Sequence, residues 1–583
     1  HTSMLTITAG LPAMGSDPEE ERFPPPTPTP LDFPIPNPPD VPETASESSL
    51  RGMQAVLASI KRPQDISRHR FKDLNLKVES DIPATEIVYC HDRAKSAPPL
   101  PWELDSSDPL RSLGQAVSED GSLIFMENGN AYPPKEKFEA LERELLIEND
   151  DAFREVARLP PRPGRDRVRV TQARKFWTAL ERMSQYWDDS LDEYFERPKT
   201  PEPGPQSESK LTGEGRPGND DQMQTDDAVA ASNQSQSDAQ RDLDNDCAPR
   251  APASGESEDP KDEEQQPVKQ QELVKRYRGR RIAAGTDMPE DVREETVRAL
   301  TEMAAWPFGC QVSLPIMPPR LAVGTLLFPV RKTFEATRAP KDRQLARNGM
   351  LEGPVFVAQC RNEASFRGPE EAPGSGFGDT CDLMREVGSM LLAAQERARE
   401  GRMEVRPGEG KWYTTTPRWG GAPNDAIGDS AKVLSEQERQ ASGNNRKRSK
   451  YEHSLLGSRR PGIARKMSNS EKWKIVQPGP PLWDRRMRYI QIGKPKDSPF
   501  DDIYMLSSIN HHLAILHLRV HRRYIDILAT GKSNFSADSN TSEQPWHVLQ
   551  LRRTRWFDLF DTQDRLEVFR GIWTLFHCLL RSM

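Results

Sequence analysis

Between Thr200 and Gln266 the chain carries no aromatic residue, acidic side chains outnumber basic ones by about three to one, and Ser, Gln, Gly and Pro fill much of the rest. Such a segment buries too little apolar surface to offset the roughly 1 to 2 kcal/mol of backbone entropy lost per ordered residue. It divides the polypeptide, and whatever folds must be built on either side of it. Two other tracts act in the same way. Pro24 to Pro42 reads PPPTPTPLDFPIPNPPDVP, where fixed φ angles and missing amide donors favour an extended polyproline conformation, as a spacer or a ligand. Residues Ala422 to Met467 are rich in Gly, Asn, Ser, Lys and Arg.

With 52 prolines and only 35% hydrophobic residues in 583, one compact fold over the whole length is not expected. The fold class predicted is mixed α+β, in two or three small ordered modules separated by long disordered segments. The map runs as follows: a disordered Pro-rich tail over 1–49, an amino-terminal module over 50–198, an acidic linker over 199–268, a central α+β module over 269–421, a basic linker over 422–470 and a carboxy-terminal α+β module over 471–583. No repeat with a period of about 20 to 50 residues is present, which argues against a solenoid or propeller.

The clearest element of the first module is a helix expected over Thr171 to Glu196, with an apolar stripe of Phe176, Leu180, Met183, Trp187, Leu191 and Tyr194 and with Thr171 as cap. Two readings stay open. It is an aromatic core helix, or it is a docking helix whose anchors Phe176, Trp177, Trp187 and Phe195 fill a groove on another protein.

In the central module Asp287 and Pro289 mark a helix start. Leu321 to Val330 and Pro354 to Cys360 read as strands, a second helix covers Asp379 to Glu400, and Lys411 to Thr416 reads as a third strand. Gly374 to Gly378 (GSGFG) precedes that second helix as a phosphate loop would. It lacks the GxGxxG and GxxxxGK[ST] spacings, so a mobile loop is expected.

The carboxy-terminal module contains the strand-like MRYIQIG and DDIYMLSSI, then residues 509–531, which periodicity leaves ambiguous between strand and helix. A helix follows Asp561, its apolar face formed by Leu566, Phe569, Trp573, Phe576 and Leu580. His511, His512, His517 and His521 crowd this module. Imidazoles four apart can bind zinc, but the run holds no Cys or carboxylate to complete a set, and HExxH is absent. It therefore reads as solvated or core-edge histidines, with metal ligation as the alternative. No GxSxG motif occurs, so no catalytic residue is assigned.

Six cysteines lie far apart without a CxxC pair, as fits a reducing compartment, and no stretch approaches the roughly 18 apolar residues of a membrane span. Basic clusters occur at Lys275, Arg276, Arg278, Arg280 and Arg281, and at Arg446, Lys447, Arg448 and Lys450, with Arg459 and Arg460 nearby. Short clusters in flexible chain suit an import signal or contact with nucleic acid. The function expected is that of a non-catalytic scaffold or accessory subunit of a nuclear, chromatin- or transcription-related assembly. Its partners would be other protein subunits, with no cofactor, membrane or small-molecule substrate evident. Nuclear localisation is expected, otherwise cytoplasmic, and not secretion. The alternatives are a nucleic-acid-binding protein using the basic tracts and an enzyme with its site near the histidine run.

Overall fold

The computed structural model describes residues 17–43, 47–60, 62–88, 100–103, 125–198, 273–314, 320–324, 326–330, 332–402, 488–494, 498–533 and 545–580. Helix and strand are mixed, as expected. The chain forms two units, one from residues up to Tyr194 together with those from Tyr277 onward, the other from Phe195–Arg276.

The first segment supplies α1 (Glu47–Ser59), α2 (Arg70–Leu74), β1 (Leu76–Glu79), α3 (Lys135–Leu145), α4 (Asn149–Val156) and α5 (Arg174–Trp187). Strands β2 (Glu193–Pro198) and β3 (Leu273–Arg278) pair with each other. Then come α6 (Glu290–Ala305), β4 (Cys310–Ser313), the hairpin of β5 (Arg320–Val323) and β6 (Leu326–Pro329), β7 (Phe334–Arg338), α7 (Arg343–Arg347), β8 (Met350–Arg361) and α8 (Phe377–Ala398). The last segment adds β9 (Arg488–Ile490), β10 (Phe500–Ile509), β11 (His512–His521), α9 (Arg522–Thr530), β12 (Leu549–Arg553), β13 (Phe557–Asp558) and α10 (Thr562–Leu579).

One sheet organises the larger unit, in the order β1-β12-β11-β10-β8-β7-β4, with β13 on β11 and β9 on β8. Successive side chains of a strand point to opposite faces, and here both faces are apolar. Tyr504, Leu506, Leu513 and Ile515 face a core built with α3, α5, α6 and α10. Ile503, Met505, Leu516 and Leu518 face a second core built with α1, α8 and α9. The result is helices on both faces of a sheet. β8 and β10 run parallel, joined through α8, so their carboxyl ends at Arg361 and Ile509 lie side by side.

This sheet revises the expected map. β1 comes from the segment read as the amino-terminal module and pairs with β12, Leu76 opposite Leu549, while β8 of the central segment pairs with β10, Met505 opposite Val357. Strands from all three segments thus share one hydrogen-bonded layer rather than closing three separate cores. Residues 509–531 prove to be both structures in succession: a strand as far as His521, then α9. Leu321 to Val330 forms a hairpin rather than one strand, and residues 411–416 lie outside the described residues. Asp287 sits in a short turn of 3-10 helix before α6, whose first residue follows Pro289.

The aromatic helix is shorter than its stripe suggests. The carboxylate of Glu144 accepts hydrogen bonds from the amides of Thr171, Gln172 and Ala173 (2.7–3.1 Å), so a side chain of α3, rather than Thr171, prepares the start of α5. The helix ends at Trp187, where Asp188 turns extended, which places Leu191 and Tyr194 beyond it and Phe195 on β2.

Candidate metal centre at the end of β10 and β11

A tight turn joins β10 to β11. Asn510 takes a left-handed conformation (φ 52°) there, its Oδ1 accepting from Arg293 and its Nδ2 donating to the Glu363 carbonyl. Asn tolerates that region better than most residues, and the turn holds His511 and His512 at the carboxyl end of the parallel pair. β13 then runs antiparallel to the start of β11 with Asp558 directly opposite His512, while the Leu559 amide donates to the His511 carbonyl.

Three donor groups thereby converge. The Nε2 atoms of His511 and His512 lie 3.9 and 4.0 Å from the two oxygens of Asp558, and among the described residues these three form the one His/Cys/Asp/Glu group whose ligand atoms all fall within 4.8 Å of one another. Both Nδ1 atoms are buried without a hydrogen-bond partner. Aromatic rings wall the site: Trp187 and Phe560 against His511 (5.1 and 5.0 Å between centroids), and Phe33 edge-on to His512 (4.7 Å).

Burial sets the protonation states. Desolvation drives His511 well below its ordinary range, helped by His512, and lowers His512 to about 4, so both imidazoles are neutral and carry lone pairs at neutral pH. Desolvation lifts Asp558 to about 6, with Asp564, Asp561 and Asp188 adding repulsion against the hydrogen bond it receives from the Phe560 amide. The surroundings are therefore poor in positive charge and rich in lone pairs.

The other two histidines have structural roles. His517 Nε2 lies 2.8 Å from Asp502 Oδ1 and its ring stacks on Tyr504, while His521 Nδ1 accepts from the Arg523 amide at the start of α9. Of the four histidines singled out in the sequence, the fold brings together two. Asp558 was missed because it joins them by cross-strand pairing, and no local spacing announces that.

The remaining predicted sites are placed differently. Phe176, Trp177 and Trp187 are buried in the protein's own core, and Phe195 is half-buried on β2, so the first three are unavailable as docking anchors. Trp177 donates from Nε1 to the Glu144 carbonyl, with the Arg565 guanidinium over its ring and Phe153 packed against it. In the first basic cluster Arg280 and Arg281 are interior: Arg280 pairs with Asp150 and Asp188, and Arg281 with Asp192. Arg278 pairs with Glu21, and Lys275 and Arg276 lie on β3. The flexible-chain setting assumed for Arg280 and Arg281 does not hold, because buried guanidinium groups require carboxylate partners and these have them. Arg446, Lys447, Arg448, Lys450, Arg459 and Arg460 lie outside the described residues.

Gly374 to Gly378 is an ordered turn rather than the expected mobile loop. Gly374 (φ +75°) and Gly376 both donate to the Asp379 carboxylate, and a Cβ on Gly374 would lie 2.8 Å from Asn37. Among the described residues no helix is long and apolar enough to cross a membrane. No known protein-family model matches this chain, and neither curated proteins nor solved structures yield a match.

Proposed function

We propose that this protein binds one divalent transition-metal ion through His511, His512 and Asp558 and that the ion is its functional centre. The observation that supports the reading is the convergence of two neutral, largely buried imidazoles on one carboxylate, their Nε2 atoms 3.9 and 4.0 Å from its two oxygens. Tetrahedral zinc bonds of about 2.0–2.1 Å place donors about 3.4 Å apart, so a small rotation of the side chains closes the set.

Two imidazoles and one carboxylate suit zinc or ferrous iron better than calcium or magnesium, which prefer all-oxygen shells. Three protein donors also leave coordination positions for water or substrate, the pattern of a reactive rather than a purely structural site. This favours the reading of an enzyme centred near the histidine run over a docking scaffold.

The test is a titration of the metal-stripped protein with Co²⁺. A single equivalent should develop visible ligand-field bands, and His512→Ala and Asp558→Asn should each abolish them while retaining the far-ultraviolet circular dichroism of the parent. Absence of the bands in the parent protein, or their persistence in both variants, would remove the reading.

A further inference from the structure

The carboxyl end of β10, where β11 begins, is crossed by a stretch of backbone with no regular secondary structure, residues 29–37. At one end the Thr29 hydroxyl accepts from the Gly285 amide, and Gly285 packs so closely on Trp187 that a Cβ there would lie 2.6 Å from the indole. Trp187 is the ring that covers His511. In the middle, Phe33 sets its edge against His512 and stacks on Trp556 (5.5 Å, 20° between planes). Beyond it, the Ile35 amide donates to Asp379 Oδ1 (2.8 Å), and Arg68 donates to the Asn37 carbonyl.

The fastening is concentrated on one side chain. Arg367 donates to the Phe33 carbonyl (3.0 Å) and to Asp379 (2.8 Å), and pairs with Asp32. The Gly374 turn, which has no space for a side chain, lets Asn37 lie directly on the start of α8. Proline supplies no amide donors, so few backbone hydrogen bonds hold this stretch: the Asp32 amide to the Ala364 carbonyl, and Ile35 to Asp379. A segment held by a few polar contacts, the Phe33 ring, Leu31 against the core and the buried Pro34 opens at lower cost than the sheet beneath it.

We infer that residues 29–37 form a strap that gates the His511–His512–Asp558 centre, with Phe33 as the stop over His512 and Arg367 as the latch. The gate rests on the proposed metal reading as regards its purpose, but its opening can be read without any metal. Closed, the strap leaves the His511 and His512 side chains only 10% and 15% exposed and so limits the access of water and ions. Released, it exposes His512 and the space between His512 and Trp556, through which an ion or a small substrate would enter.

The experiment uses the full chain and two readouts. Metal-free, the exchange of the imidazole C2 hydrogen for deuterium, followed residue by residue by mass spectrometry, reports solvent access to each ring. Loaded with Co²⁺, the rate of bleaching by an excess of chelator reports escape of the ion. Phe33→Ala and Arg367→Gln should each accelerate C2 exchange at His512 at least tenfold and leave His517 unchanged, and should speed Co²⁺ loss by a similar factor. Arg367→Gln keeps Phe33 in the chain and so controls for damage from the lost ring. Unchanged exchange at His512 in both variants overturns the strap even if Co²⁺ binds. Faster exchange without any Co²⁺ binding in the parent retains the strap and removes the metal.

Discussion

Asp382 is wholly buried on α8, with neither carboxylate oxygen in a hydrogen bond. Arg361 stands 3.2 Å from it, and Arg361 and Arg553 both reach the equally buried Glu386, which also accepts from the Ser507 hydroxyl. Desolvation lifts Asp382 to about 7, against the pull of Arg361 and Arg385 and with the push of Glu386 and Glu363. Burial also opposes ionisation of Glu386, but Arg553 and Arg361 outweigh it and hold that group below its ordinary range. Below about pH 7, charge therefore sits on Glu386 and the proton on Asp382. The sign for stability follows: a carboxyl whose folded pKa is raised favours the folded state at low pH, and this contribution is lost as pH climbs from about 4 to about 7, at up to ~1.4 kcal/mol per pH unit. Asp382→Asn, which keeps the shape and removes the titration, should gain stability relative to the parent as pH rises from 5 to 8. Denaturant melts at the two pH values measure this, and an identical difference at both would show that folding does not raise the pKa of Asp382. The guanidinium of Arg281, fully buried against Asp192, illustrates the same scale: in sequence it is one cation of a basic run, and its pairing is invisible there.

Among the elements, α5 and α10 are both rich in aromatic residues and end up in one core. Phe138 of α3 stacks on Phe569 and meets Trp573 edge-on, while Phe308 and Phe356 close around Phe576. The face predicted for α10 is buried from Leu566 to Leu580, and Asp561 accepts from the Asp564 amide as its cap. α5 carries an equally aromatic face, and whether such a helix seeks its own core or another protein depends on what covers it. The cover comes from α6 and α4, with Phe153 of α4 against Trp177 and the Arg565 guanidinium of α10 over its ring. Trp177→Ala should consequently destabilise the whole unit by on the order of 3 to 5 kcal/mol, as deletion of a large buried aromatic does. Urea unfolding followed by circular dichroism would read it. A loss below about 1 kcal/mol would mean that the site is not packed as described.

At the scale of the whole molecule, the interleaving of strands has a consequence for cleavage. Engineered protease sites placed within 200–266 and within 422–467 would cut the chain into three pieces. Because β1 lies against β12, and β8 against β10, the pieces should remain together on size exclusion and separate only in denaturant. Residues 471–583 expressed alone would leave the β8-facing edge of β10 unpaired and keep only α10 on one apolar face and α9 on the other, without α3, α5 and α6 or α1 and α8, an arrangement prone to aggregation, and should show no cooperative unfolding. Separate elution of three folded pieces would restore the modular map. What the sequence by itself determined was local: the α10 stripe and its Asp561 cap, the strands over β8 and β10, and the helix over α8, each specified by residues within a few turns or by alternation along one strand. Tertiary structure alone decided that Leu76 meets Leu549, that Asp558 meets His512, that Arg281 is interior, and that Phe33 lies over the imidazoles. The physical reason is that pairing and burial join residues far apart in the chain through the closure of one sheet and its two apolar faces, and neither periodicity nor composition records which distant partner will fill a given face.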